Sequence, residues 1–294
     1  MRTFTGNTRK EELDKLTAGY NRLLYLTVLM VALAVAALIA ALAKAMFLSV
    51  IFLLLMFLVR VTLYGKARAD YRQAITEAAL ACSVGARLDE FELKRKGGTG
   101  ITPEDVLSAE LFPVRDNDKS AISFFQGISG TTRGMGVSLN DTTLPQYQHA
   151  GRKGAAVACG VWMRFLLPKD SGLDLRIVSG ELLSDDLRKE FFESLPGLTE
   201  QAPDDTGLDG SLCLYDRDSS YRSLPPSFVP AVNSLSKKCA GDLALSVRGD
   251  AMDLFVKGRI LSPNYNLKKK PDEKLLQFDP VPEFKDALNL AGKL

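Results

Sequence analysis

Several groups of residues in this 294-residue chain have types and spacings that could do chemistry. Asp216 and Asp218, followed by Ser219 and Ser220, offer oxygens to a cation, and Asp204 and Asp205 stand a short way upstream. A calcium loop also needs a glycine at its bend and a bidentate Glu at fixed spacing. Neither stands at that spacing, so a solvated turn is expected. Gly127, Gly130, Gly134 and Gly136 are dense enough for a phosphate-cradling loop, but no Lys-Ser or Lys-Thr follows and no helix start comes next. They predict a β-turn within a hairpin. Ser129 and Ser138 lack the GxSxG frame of a nucleophile elbow. His149 is the chain's single histidine and lies in a polar loop. A zinc hydrolase needs several nitrogen or sulfur ligands and a catalytic triad needs a tuned base, so a lone imidazole supports neither.

The four cysteines, Cys82, Cys159, Cys213 and Cys239, form no CxxC or other zinc spacing and read as small buried hydrophobes. Arg248-Gly249-Asp250 spells an adhesion tripeptide, which a hairpin turn explains as well. Lys268-Lys269-Lys270, followed by Pro271, is a positive block. Near an anionic leaflet each lysine is worth roughly 1 kcal/mol, so lipid contact is one expectation for it and a solvated loop the other. No convergent catalytic set, metal site or cofactor site is expected.

The elements that must position these residues begin with one dominant feature. Leu23–Tyr64 contains only two charges, Lys44 and Arg60, and no Asp, Glu, Gly or Pro. As one helix it would reach about 63 Å, roughly twice the hydrocarbon thickness of a bilayer, so the run must turn. Cutting at Lys44 gives spans of about 23–43 and 45–64, a transmembrane helical hairpin that excludes a purely soluble chain. Arg60 can snorkel to the headgroups, and Tyr25 and Tyr64 then sit at the same interface, where amphipathic aromatics settle. A cleaved signal peptide is the rival, because Ala41-Leu42-Ala43 has the small-x-small form of a cleavage site. The length of the first stretch and the second stretch that follows it oppose that reading.

Basic residues flank the spans: Arg2, Arg9, Lys10, Lys15 and Arg22 before them, and Arg60, Lys66, Arg68 and Arg72 at their far end, against Lys44 alone in the turn. By the positive-inside rule both termini are cytoplasmic. Ala32, Ala36 and Ala40 form a small-xxx-small row that suits the second helix or another copy of the chain, a possible homo-oligomer. Residues 73–294 hold 27 basic and 31 acidic residues, a net of −4 against +2 for the whole chain. The positive balance therefore sits beside the membrane and gives nucleic-acid binding no support.

The rest divides into a basic N-terminal helix over 1–22, a juxtamembrane helix and linker over 65–100, and a cytosolic domain over 101–294. Tyr71, Ile75, Ala78 and Cys82 recur at helical spacing, and Lys94 to Gly98 reads as a solvated turn or linker. Thr102-Pro103-Glu104-Asp105 is a helix start, with a capping hydroxyl, Pro at the first helical position and acids in the first turn. Cys159, Val161, Met163, Phe165 and Leu167 alternate along a strand, Pro168–Gly172 turns the chain, and Leu173, Leu175 and Ile177 alternate in the next, which predicts a hairpin. Ser184 can cap a helix facing inward through Leu187, Phe191 and Leu195. A strand over Leu212–Tyr215, a helix striped by Phe228, Val232, Leu235 and Cys239, and a hairpin turning at Gly249-Asp250 follow, with a last helix over Glu283–Leu290. The fold class expected is α+β: a transmembrane hairpin, then antiparallel hairpins with several helices.

This order of pieces resembles the bacterial domain of unknown function 3137 family. The resemblance is carried by Ser108-Ala109-Glu110-Leu111-Phe112, Phe125-Gln126-Gly127-Ile128-Ser129-Gly130, Cys159-Gly160-Val161-Trp162-Met163, Leu214-Tyr215-Asp216, the Leu224–Leu235 helix and Phe278-Asp279-Pro280. The family usually has an aromatic and then a basic residue where this chain has Ala158 and Cys159, which marks a divergent member. The resemblance implies an inner-membrane protein and transfers no catalytic residue. The function expected is a membrane-anchored interaction or scaffold domain with an unknown protein partner. The alternative is a membrane-associated hydrolase of lipid or envelope precursors, built from Asp and Ser residues that only the fold unites.

Overall fold

The computed structural model describes residues 2–5, 7–95, 97–114, 116–148, 152–183, 185–239, 242–262 and 265–294. The chain forms two compact units. One comprises Thr5–Ser83 and Ser262–Phe278 and is helical; the other comprises Met1–Phe4, Val84–Leu261 and Asp279–Leu294 and holds the sheet.

The helical unit starts with α1, Thr8–Leu42, in which the basic leading segment and the first apolar stretch are one continuous helix of 35 residues. The chain breaks at Ala43-Lys44-Ala45, where Lys44 takes a left-handed φ of 60°, and α2 follows over Met46–Leu58. A π-helical stretch, Val59–Tyr64, connects α2 without interruption to α3, Gly65–Ser83. Tyr71, Ile75, Ala78 and Cys82 are all buried. Tyr71 lies against α1, with its ring 6.4 Å from that of Tyr20, and Gly19 leaves room for that ring: a Cβ there would lie 2.9 Å from Tyr71 Cδ2. Of the Ala row, Ala32 points outward and Ala40 inward; the buried small residues are Ala37 and Ala40, so the packed seam is rotated from the expected one.

In the other unit, nine strands form one antiparallel sheet: β1 (Glu90–Lys94), β2 (Ser123–Thr132), β3 (Met135–Gln148), β4 (Arg152–Leu166), β5 (Asp174–Ser179), β6 (Leu198–Gln201), β7 (Leu212–Arg217), β8 (Leu243–Arg248) and β9 (Ala251–Lys257). Their spatial order is β1-β2-β3-β4-β9-β8-β5-β7-β6. The helices are α4 (Pro103–Ser108), α5 (Asp185–Glu193), α6 (Pro203–Thr206), α7 (Phe228–Lys238) and α9 (Phe284–Ala291), while α8 (Glu273–Leu276) belongs to the helical unit.

Two expectations change here. The hairpin read between 157–167 and 173–177 does not form: β4 pairs with β3 and β9, and β5 pairs with β7 and β8. The β8–β9 hairpin inserts between them, and the connecting loop closes over its turn, with Leu167 N–H donating to Asp250 O and Ser171 N–H to Gly249 O. Local alternation fixed each strand's faces but not its partner. Second, Lys94 closes strand β1 rather than standing in a linker, so the sheet reaches back to Glu90. The Ser184 cap lies outside the described residues; the helix after it buries Arg188 and Phe192, with Leu187, Phe191 and Leu195 only half-buried.

The helix start at Thr102 takes the form its residues dictate. Thr102 Oγ1 accepts from Asp105 N–H, and Asp105 Oδ2 accepts from Thr102 N–H, a reciprocal capping box.

Candidate functional site

Register partners in a sheet share a face. One such row runs through all nine strands: Glu92, Ser129, Ser138, Arg164, Asp253, Ser246, Arg176, Tyr215 and Glu200. Every member is polar. The row beside it on the same face is Trp162, Phe255, Ala244, Val178 and Cys213, and Phe112 packs on Trp162 and edge-on to Phe255 at 5.0 Å. A core of aromatic and aliphatic residues thus gives way, one register step along, to a stripe of buried charge.

Each charge in the middle of that stripe has a partner. Asp253 accepts from Trp162 Nε1 at 2.8 Å and from Arg164 Nη1 at 3.0 Å. Arg164 also pairs with Asp105 at 3.1 Å, so the carboxylate that caps α4 clamps that helix to the sheet. Arg176, wholly buried, binds Glu110 at 2.6 Å and Asp174 at 2.6 Å. Arg217 reaches the same two carboxylates at 3.0 and 2.8 Å, and Arg248 reaches Glu110 at 3.4 Å. Glu110 is held at a left-handed φ of 52°, unusual for a residue with a side chain. Burial pushes Asp253 up to about 6 despite the opposing pull of Arg164 and Trp162. Burial would raise Asp174 too, but the Arg217 and Arg176 guanidiniums outweigh it and hold its carboxyl below the usual range. The charges in the middle of the stripe, Arg164, Asp253 and Arg176, are thus engaged with other charges. Its chemistry is that of mutual neutralisation, pinning the 102–112 segment over the sheet.

The opposite face carries a cleft of about 510 Å³. Ile177 and Leu214, partners across β5 and β7, form its floor, and Leu208, Leu224, Pro225, Pro226 and Val229 form its walls. Asp205, Thr206, Tyr221 and Arg222 supply the polar rim. Asp216 is fully buried nearby, accepting from Ser220 Oγ at 2.5 Å and Tyr221 N–H at 3.3 Å. It holds the turn that shapes the rim. Asp218 and Ser219 both adopt φ of 56° in that turn. Among the described residues, the cleft unites Asp205 with neither Asp216 nor Asp218. His149 and the Asp204 side chain lie outside the described residues.

The remaining sequence candidates are dispersed. Gly127 and Gly130 are strand residues, not a loop: a Cβ at Gly127 would lie 1.9 Å from Asn140 Oδ1, the oxygen that accepts from Thr99 N–H. Gly134 does sit in the β2–β3 turn. Cys82 and Cys239 are buried and free, with burial raising the Cys239 thiol to about 12, whereas Cys159 is exposed, contrary to expectation. Arg248-Gly249-Asp250 forms the β8–β9 turn. Tyr25 is 75% exposed on α1, Arg60 is exposed and Tyr64 half-buried in the π-helical stretch, and Lys268, Lys269 and Lys270 are exposed in the helical unit.

The charged stripe was missed from sequence. Its visible signal was a single charge at an inward position of an otherwise apolar stretch: Arg164 within Val161–Leu167, Arg176 within Leu175–Val178, Asp253 within Ala251–Val256. Such a charge must be paired to be buried.

No family model matches the chain, and no curated protein matches it. Among solved structures, the mycobacterial trehalose monomycolate transport factor A, TtfA, is similar at 10% identity over 74% of this chain and 96% of that one, with a TM-score of 0.39. A likeness of that degree brings neither an activity nor a ligand to this chain.

Proposed function

We propose that the chain is a membrane-anchored interaction module of the bacterial inner membrane. In this reading α1 and α2 cross the bilayer as a hairpin, both flanks lie in the cytosol, and the sheet unit binds a protein partner. The observation that carries the proposal is the outer surface of the helices. α2 has no buried residue, and Phe47, Leu54 and Phe57 are each more than 60% exposed. A surface of that kind is stable in hydrocarbon and costly in water. The basic flanks around Arg22 and Lys66, against Lys44 alone in the break, support the orientation.

In the cleft, Asp205 is the one described carboxylate among the lining residues. The apolar floor suits a binding partner. Alkaline phosphatase and green fluorescent protein fusions after Leu294 test the orientation: fluorescence without phosphatase activity is expected, and phosphatase activity would overturn it. Crosslinking in living cells tests the module. Recovery of a discrete protein partner at native abundance is expected, and recovery of the chain alone would remove the scaffold reading.

A further inference from the structure

The segment Ser262–Phe278 is far from α1 and α3 in sequence, yet it belongs to the same compact unit. Three contacts seat it. Ser262 Oγ shares a hydrogen bond with Thr76 Oγ1 at 3.2 Å, the Tyr20 hydroxyl donates to Lys268 O at 3.4 Å, and Leu275 and Leu276 are buried. The Tyr265 hydroxyl donates to both Lys269 O and Lys270 O, so the three-lysine loop is folded round a tyrosine. The three carbonyls are thereby engaged and the three side chains are exposed.

The position of this loop along the helices is what gives it meaning. Tyr20 is three residues before Leu23, where the apolar run begins, which is about 4.5 Å of helix at 1.5 Å per residue. Tyr71, whose ring meets that of Tyr20, stands seven residues after Tyr64, where the run ends. Arg22, Lys66, Arg68 and Arg72 are exposed within two turns of the same level, and the acids near that level are Asp14, Asp70, Glu77, Glu273 and Asp272, the last 3.5 Å from Lys269. The lysine loop completes a basic collar whose other members come from the ends of the two apolar helices.

We propose that Lys268, Lys269 and Lys270 bind the phosphates of anionic lipid headgroups, as part of a collar docked on α1 and α3. The inference rests on the membrane-anchored reading above and adds a lipid preference to it. A lysine at an anionic surface contributes about fivefold in affinity, and the flexible ammonium reaches a phosphate as a point charge without demanding one geometry. The lysines replace, in this chain, what a longer run of basic residues next to the spans would supply.

The test uses the full chain in detergent, with lipid retention counted by native mass spectrometry. Phosphatidylglycerol, phosphatidylcholine and inorganic phosphate are the probes. The variants are K268Q/K269Q/K270Q, K268R/K269R/K270R and a control, K189Q/K237Q/K285Q, in the sheet unit. Phosphatidylglycerol is expected to be retained in preference to phosphatidylcholine, with a drop on the order of tenfold to a hundredfold in the triple Gln variant. The Arg variant and the control should retain it as the parent does. Equal retention in the triple Gln variant, or displacement of the lipid by millimolar phosphate, would overturn the proposal. Extraction of the parent chain from membranes by alkaline carbonate would instead sink the anchored reading itself, so the two failures are separable.

Discussion

The two units bury opposite things. In the sheet unit the large apolar side chains are inside: Trp162, Phe165, Phe192, Phe228, Phe255 and Phe284 are all fully buried. In the helical unit, from Leu24 to Leu63, the large apolar side chains are outside and the buried residues include Ala37 and Ala40. On the membrane-anchored reading proposed above, the difference teaches that hydrophobicity alone does not say where a residue goes; the surrounding solvent does. The sheet unit packs its large apolar side chains against one another, and the charges in the middle of its stripe are paired. The apolar stretch of the helices is arranged as for a solvent of its own kind, in which large side chains gain nothing by hiding and small ones let backbones approach.

This contrast can be broken by exchanging the logic of the two regions. The largest effect belongs to Phe255→Ala, which should destabilise the sheet unit by about 3–5 kcal/mol. Phe57→Ala, on the exposed side of α2, should leave the same transition unmoved. Trp162 is the chain's single tryptophan, is buried beside Phe255 and lies in the sheet unit, so its fluorescence during denaturant unfolding reads that unit alone. A comparable loss in both variants would show that α2 contributes to the sheet's stability and that the contrast is false.

Arg176→Met should cost about 3 kcal/mol on the same transition, because Glu110 and Asp174 lose a buried partner. Simultaneous replacement of Arg176, Glu110 and Asp174 by apolar residues of similar size should recover much of that loss. If the single variant is neutral, the stripe is not what holds the 102–112 segment in place.

Leu54→Arg sets a charge on the exposed face of α2 and should disfavour insertion by about 3 kcal/mol. The measurement is the fraction of chain that resists alkaline carbonate extraction, and an unchanged fraction would argue against α2 as a span. The corresponding change at an exposed sheet position, such as Leu166→Arg, should alter neither insertion nor Trp162 unfolding by as much.

The smallest effect sharpens the electrostatics. Burial raises the folded pKa of Asp253 to about 6 from 3.8, so the folded chain holds that proton more tightly than the unfolded one. Its stabilising contribution is complete below about pH 4 and is lost as pH rises through about 6. Asp141, raised to about 6 by burial despite the Leu261 N–H it accepts, acts in the same sense. Asp174 acts oppositely: its depressed pKa stabilises the fold at neutral pH, and that is lost on acidification. Asp253→Asn should flatten the decline between pH 4 and 6, and an unchanged slope would place the titration elsewhere.

What the sequence made legible was local. The capping residues at Thr102 and Asp105, the helical stripe of Phe228, Val232 and Leu235, and the Gly249-Asp250 turn are each decided within a dozen residues, and each element stands where its residues indicate. The break in the apolar run at Lys44 is local in the same way, a lone charge beside residues that carry none. The β4–β5 pairing failed because two strands about 80 residues later insert between them, and no spacing records that. β1 and β6 were missed because Glu90, Glu92, Thr199 and Glu200 read as solvent-facing loop. The charged stripe escaped for the converse reason. A charge in a strand looks like surface, and its burial depends on Glu110 and Asp105, which arrive from a segment more than 50 residues away in sequence from Arg164 and Arg176.

The path of the chain between the two units has a practical result for anyone cutting it. It passes from one unit to the other four times, at Phe4–Thr5, Ser83–Val84, Leu261–Ser262 and Phe278–Asp279. No single peptide cleavage therefore yields two whole pieces. A soluble fragment started at residue 101 would lack β1 and bare the edge of β2, and it would also carry Leu275 and Leu276 away from the helices that cover them. A nick after the exposed Gly97 should accordingly leave the lysine-bearing segment seated on α1 and α3, with the nicked chain still migrating as one particle until denaturant is added.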